Sequence, residues 1–257
     1  LRLGPERRSE LKEERLTFGD RALITLRSFL IQSVWNPRGM QSVGFCFAML
    51  PVARRLRLEG SALSSFLTRH LGFFNTNPAM ASYVLGAAAA AEVRGDTQSV
   101  DGIKKGLAGP LGMAGDALLW GAARPFAGLL AVALLDVGLS WAPLALLVFY
   151  NIPHLFFRVR GTGVGARLGP SGARELSGRG LRVATVALRG GGAFVAGWLV
   201  ASAVRGESGI EPWKLVATLS FLALAYAAAR WRMPTTLVAA GGALGSLALL
   251  AVGLNGG

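Results

Sequence analysis

The apolar residues of this chain fall into runs of two kinds. Val43 to Ala53 and Pro78 to Val93 are apolar but short, since a helix needs about 20 residues to cross a bilayer. Short apolar segments bounded by Gly and Pro predict re-entrant or broken helices more than full spans. Ala127 to Phe157 is almost uninterrupted and too long for one untilted span. Asp136, Gly138 and Pro143 mark a reversal within it, so it predicts two helices. Val183 to Val204, Trp213 to Ala229 and Pro234 to Leu254 predict further spans.

Between these groups lies Ile103 to Phe126, apolar enough for a bilayer yet interrupted by Gly106, Gly109, Pro110, Gly112 and Gly115. Pro110 lacks a donor and the glycines make a change of direction inexpensive. The pattern predicts a broken hairpin, with Asp116 capping a second half-helix that also carries Arg124. A loop between two ordinary helices is the alternative.

Leu1 to Arg15 is a mixed-charge segment without the apolar core of a signal peptide. The first residue is Leu1 and not Met, so a processed or trimmed N-terminus is expected. Thr17 and Asp20 fit a capping box. The helix they announce has Leu23, Leu26 and Leu30 at helical spacing, which suits either the cytoplasmic membrane surface or a small cytosolic subdomain. Pro37 and Gly39 break the chain between Gln32 and Gln41. There Trp35 suits an interface, and the amides of Gln32, Asn36 and Gln41 match sugar hydroxyls in donors and acceptors. Ser61 to His70 predicts a polar helix. Asn75-Thr-Asn-Pro78 then predicts a turn that caps the run after it.

Composition agrees with the pattern. Of 257 residues, 52% are hydrophobic and 16% charged, with a mean hydropathy of +0.46, whereas soluble domains carry about 25% charged residues. The sequence therefore predicts an all-α polytopic membrane protein. Net charge is +13, but the bases sit between the apolar runs, so the positive-inside rule accounts for them and nucleic acid is not expected. Arg158 to Arg182 predicts a basic cytoplasmic loop. Arg189 then lies close enough to the cytoplasmic end to snorkel, and the C-terminus falls on the non-cytoplasmic side. Asp136 is expected in a loop on that same side, with a buried functional acid as the alternative. Cys46, the only cysteine, excludes an internal disulfide and suits a buried packing role. No phosphate loop, nucleophile elbow or His-Glu-x-x-His helix occurs. With only His70 and His154, the sequence gives no basis for a multi-histidine metal site; His154, behind Pro153, is expected near a helix end. No catalytic residues, metal or cofactor are expected.

The motifs Gln32-Ser-Val-Trp-Asn36, Met40-Gln-Ser-Val-Gly-Phe45, His70-Leu-Gly-Phe-Phe-Asn-Thr-Asn-Pro78, Gly106-Leu-Ala-Gly-Pro-Leu-Gly-Met-Ala-Gly-Asp116 and Arg124-Pro125 together resemble the enzyme IID membrane component of the mannose-family sugar phosphotransferase system. The resemblance covers nearly the whole chain. It implies a bacterial inner-membrane permease subunit that forms a sugar path with a IIC membrane subunit, in a trimer of IIC–IID heterodimers similar to an elevator-type transporter. Cytoplasmic IIA and IIB phosphocarriers would relay phosphate to a hexose or related sugar.

It further implies sugar or sugar-site contacts from Gln32, Asn36, Gln41, Asn75, Asn77 and Asp116. Trp35, His70, Thr76, Trp120 and Arg124 would support them, Arg124 as a partner of Asp116 or of IIC. The bland alternative for each is a hydrogen bond that holds irregular backbone together. Two departures bear on cargo: Gly39 and Gly72 stand where the family usually has acids. A transport-inactive membrane scaffold that keeps the fold is therefore the second hypothesis. The expected organisation is an N-terminal interfacial segment over 1–31, a broken-helix and hairpin region over 32–126, and transmembrane helices over 127–257 with the basic loop at 158–182.

Overall fold

The computed structural model describes residues 16–171 and 178–205, and parts of 220–245. Among these residues there is no β-strand beyond two isolated bridges. The helices are α1 (Phe18–Ser28), α2 (Ser42–Arg55), α3 (Gly60–Leu71), α4 (Ala81–Val93), α5 (Ser99–Gly115), a π-helix (Asp116–Ala123), α6 (Arg124–Asp136), α7 (Ala142–Leu168), a 3₁₀ turn (Gly169–Ser171) and α8 (Arg179–Arg205). They divide into two compact units, one of residues 1–115 and 154–177, the other of 116–153 and 178–257.

In the first unit α1 starts at the predicted capping box. The Thr17 hydroxyl accepts from the Asp20 N–H at 3.1 Å, and the Asp20 carboxylate accepts from the Thr17 N–H at 2.9 Å. Helix α1 packs on α2 and α4, α2 on α3 and α4, and α4 on α5. Every residue of α4 is buried, so this short apolar helix is a core element of its unit. It crosses the later part of α7 at a seam of small residues, where a Cβ on Gly86 would collide with the Thr162 carbonyl and one on Gly165 with the Tyr83 carbonyl. Thr25 and Thr162 pair their hydroxyls at 2.7 Å. Cys46 is buried, as its apolar neighbours suggest.

In the second unit α8 packs on the π-helix and on α6, around a core of Phe126, Ala133 and Val195. The predicted reversal after Asp136 is present: α6 ends there, Gly138 takes φ +81°, and α7 begins at Ala142. By length and composition, two described helical runs suffice to cross a membrane, Ser99–Asp136 and Ala142–Ser171.

Four expectations are corrected. Helical bonding passes through Gly106, Gly109 and Pro110 and continues to Asp136, so neither a hairpin break nor a loop interrupts Ile103–Phe126. Asp116 opens a π-helix inside that run, not a second half-helix after a break. Arg158 to Leu168 is helix and not loop. There the Arg158 guanidinium donates to the Ser28 carbonyl and lies 4.7 Å over the Phe29 ring, and Arg160 stacks on Phe156. Arginines held this way do not end a helix, and His154 lies well inside one. The expectations for 1–15, 172–177, 206–219 and 246–257 lie outside the described residues.

Candidate functional site

The first unit contains a pair of loops welded edge to edge, one over 36–41 and one over 73–77. The Asn36 side-chain oxygen accepts from the N–H groups of Arg38 at 3.1 Å and Gly39 at 2.8 Å. That is the local turn an Asn favours. The backbones of Asn36 and Met40 exchange hydrogen bonds at 3.3 and 2.8 Å, and Met40 takes a left-handed φ of +54°. The Gln41 N–H donates to the Phe74 carbonyl at 2.9 Å, and the Phe74 N–H to the Gly39 carbonyl at 3.3 Å.

The side chain of Gln41, 1% exposed, then completes the weld. Its amide N–H donates to the Thr76 carbonyl at 2.8 Å and its oxygen accepts from the Thr76 N–H at 3.1 Å. An amide side chain thus satisfies both polar groups of a residue that lies in neither helix nor sheet. The Asn77 oxygen accepts from the Ala79 N–H at 3.1 Å at the approach to α4.

Helix α5 is the wall behind this weld. The Thr76 hydroxyl donates to the Ala108 carbonyl at 2.8 Å. A Cβ on Gly112 would meet Thr76 Oγ1 at 3.4 Å, and one on Gly115 would sit 2.5 Å from Asn77 Cβ. Lys104, 3% exposed, donates from Nζ to the carbonyls of Arg69 at 3.0 Å, His70 at 3.4 Å and Gly72 at 3.3 Å. Residues 104, 108, 112 and 115 share one face at helical spacing, so a single stripe of α5 grips the chain from the end of α3 to Asn77. Two of the glycines that suggested a break instead make room for this loop.

Beside the stripe is a buried charge cluster. Glu92, 3% exposed, accepts from Arg69 through both carboxylate oxygens, at 2.8 and 3.1 Å, and pairs with His70 Nε2 at 3.0 Å. Burial pushes the Glu92 carboxyl up, but the hydrogen bonds from His70 and Arg69 together outweigh it and hold the group below the usual carboxylate range. Burial pushes the His70 imidazole down, more than the Glu92 contact raises it. His70 is therefore neutral near pH 7. Its Nε2–H serves Glu92, and its Nδ1 is buried with no partner among the described residues.

The residues nominated from sequence separate into groups. Gln41, Thr76, Asn77 and His70 are buried and bond to the protein itself. Gln32, Trp35 and Asn75 are exposed, and Asn36 is half-buried on the same loop. Asp116, Trp120 and Arg124 belong to the second unit, where all of them are exposed. Sequence reasoning missed Glu92, Lys104 and Arg69. The signal for Glu92 was an acid closing an alanine-rich apolar run, and for Lys104 a cation at the start of the Ile103–Phe126 stretch.

With this arrangement in view, comparison with known proteins decides the family. The profile of the PTS mannose/fructose/sorbose family IID component matches residues 15–220. The chain belongs to the IID family. It is 36% identical over 195 residues to the mannose-specific EIID component of Escherichia coli K12, across 73% of this chain and 69% of that one. It is 34% identical to the sorbose-specific EIID component of Klebsiella pneumoniae, across 74% and 72%. Among solved structures it resembles a chain of the mannose transporter ManYZ in complex with microcin E492, at 34% identity, 73% and 71% coverage and TM-score 0.55. A second neighbour, described only as a membrane protein, gives 36% identity, 72% and 70% coverage and TM-score 0.63. The IID protein is thus a permease component of a phosphotransferase system and a membrane protein of the bacterial inner membrane.

Proposed function

We propose that this IID protein forms the sugar path of a mannose-family phosphotransferase permease together with a IIC membrane subunit. Its welded loop pair is the element that faces the sugar or the sugar-binding part of IIC. The observation that carries this reading is the division of labour in the motif residues. Gln41, Thr76 and Asn77 bond inward and fix the loops, while Gln32, Trp35 and Asn75 remain exposed. A rigid support under amide and aromatic groups suits polyol recognition, which needs oriented hydrogen bonds. In the second unit Asp116, Trp120 and Arg124 offer an acid, an aromatic and a cation on exposed positions.

The protein carries no phosphoryl chemistry of its own in this reading; IIA and IIB phosphocarriers supply it. The assembly is a trimer of IIC–IID heterodimers, and the C-terminus lies on the non-cytoplasmic side. The relationship to the mannose-specific EIID component of E. coli and the sorbose-specific one of K. pneumoniae supports a hexose or related sugar as cargo.

Vesicles carrying this protein with its IIC partner and phosphorylated IIB test the reading. Sugar-dependent uptake and phosphorylation are expected from a hexose panel that includes mannose and sorbose. Absence of both across the panel would overturn it.

A further inference from the structure

The second unit contains an arginine that the proposed site leaves unused. Arg189, on α8, donates from Nε to the carbonyl of Gly121 in the π-helix at 3.1 Å, across 68 positions of sequence. The fit depends on glycine. A Cβ at Gly121 would stand 3.0 Å from Arg189 Nη2 and 3.4 Å from the Asp116 carbonyl, so a side chain there would press on the guanidinium. The base of α8 is held independently, by Val195 in the core with Phe126 and Ala133 and by Gly192 against Phe126 and Leu129.

A π-helix is rare and costs hydrogen-bond geometry relative to an α-helix, so it persists where something outside the ladder holds it. It carries one residue more per bonded ring than the α-helix. If it reverted, that residue would be absorbed and the residues at the start of the π-helix would turn by about 100° relative to α6. Asp116 and Trp120 lie before Gly121 and Arg124 after it, and all of them are exposed. A reversion would therefore turn Asp116 and Trp120 relative to Arg124. We propose that Arg189 is a positioning residue: its bond to the Gly121 carbonyl keeps 116–123 π-helical and so keeps Asp116 and Trp120 aimed at sugar hydroxyls. The first half of this proposal stands on geometry alone; the second rests on the transport reading above.

The test uses the IIC–IID complex and two readouts. Hydrogen exchange followed over 116–123, without sugar, reports the clamp. Arg189→Gln is expected to speed exchange there by about tenfold, as for a lost charge-assisted bond, and to leave 127–136 unchanged. Arg189→Lys, which keeps a donor, should restore much of the protection. Gly121→Ala leaves the arginine in place but displaces its guanidinium, and should speed exchange in the same way even if the glutamine variant assembles poorly. Uptake then reports positioning: KM for sugar should rise about fivefold in Arg189→Gln with Vmax little changed, and the lysine variant should recover it. Unchanged exchange in both Arg189→Gln and Gly121→Ala would overturn the clamp. Faster exchange with an unchanged KM would overturn the positioning role. Failure of the wild-type complex to take up any sugar counts against the transport reading instead, and leaves the exchange result intact.

Discussion

At the scale of single residues, the cluster around Glu92 sets two large effects against each other. A buried carboxylate is costly, and its pairing with Arg69 and His70 recovers the cost only because the geometry is close on both oxygens. Removing Glu92 leaves Arg69 half-stripped of its partner and the neutral His70 without an acceptor. Glu92→Ala should cost about 3–5 kcal/mol of stability and Glu92→Gln less, measured by thermal unfolding of the detergent-solubilised complex. The pH dependence follows from the same contacts. His70 folds with its value depressed below the ordinary 6.5, so the unfolded chain takes up its proton first. Its contribution is complete above about 6.5 and falls away as pH drops from there through the folded value. Glu92, also depressed, from an ordinary 4.5, loses its contribution as pH falls through a lower window. Both act in one direction, so stability should decline on acidification from pH 7, through His70 first and through Glu92 only below its ordinary 4.5. His70→Asn, which cannot titrate, should flatten the upper part of that decline; an unchanged profile would remove His70 as its source. None of this was legible in the sequence, because neither the burial of His70 nor its distance to Glu92 can be read from spacing. The polar identity of Gln41 and Thr76 was legible, but not that their hydrogen bonds turn inward.

At the scale of elements, α5 shows why glycines mislead a reading from sequence. Gly106, Gly109, Gly112 and Gly115 look equivalent along the chain, and with Pro110 they suggest a break. In the structure they do different things. A Cβ on Gly106 or Gly109 meets nothing within 4 Å, whereas Gly115 lies against Asn77 and Met80. The helix survives because its buried positions, Val100, Ile103, Leu107 and Leu111, recur at helical spacing through the interrupted stretch. Two substitutions separate the roles. Gly106→Ala adds helix propensity in open space and should stabilise by about 0.5–1 kcal/mol. Gly115→Ala forces a methyl group into Asn77 and should destabilise by about 1–3 kcal/mol. Thermal unfolding of both variants checks the contrast, and equal effects would show that the loop does not depend on this close approach. The reversal at Gly138 and the capping box at Thr17 were legible because each is local. The helix over Arg158–Leu168 was not: charge suggested a loop, and the contacts from Arg158 to Ser28 and Phe29 come from residues far away in sequence.

At the scale of the whole molecule, the order of the motifs carried the family, while the division into two units was not visible because its boundary falls inside one helical run at Gly115 and Asp116. That boundary makes Gln41 and Asn75 a useful pair, since both lie in the first unit and differ only in where they point. Gln41 is 1% exposed and holds the Thr76 backbone from both sides. Gln41→Leu leaves an N–H and a carbonyl unsatisfied, which should cost about 1–3 kcal/mol each and lower the amount of assembled complex. Asn75 and Trp35 are exposed, so Asn75→Ala and Trp35→Ala should leave folding and assembly unchanged and instead weaken sugar uptake, with transport normalised to the amount of complex falling by about tenfold for a lost polyol contact. The two classes separate on one plot of uptake against complex recovered: Gln41→Leu should move along the line through wild type, and the exposed variants should fall below it. If Asn75→Ala and Trp35→Ala also remain on that line, the welded loops are support for the fold alone, and recognition of sugar must rest on the Asp116 face or on the partner subunit.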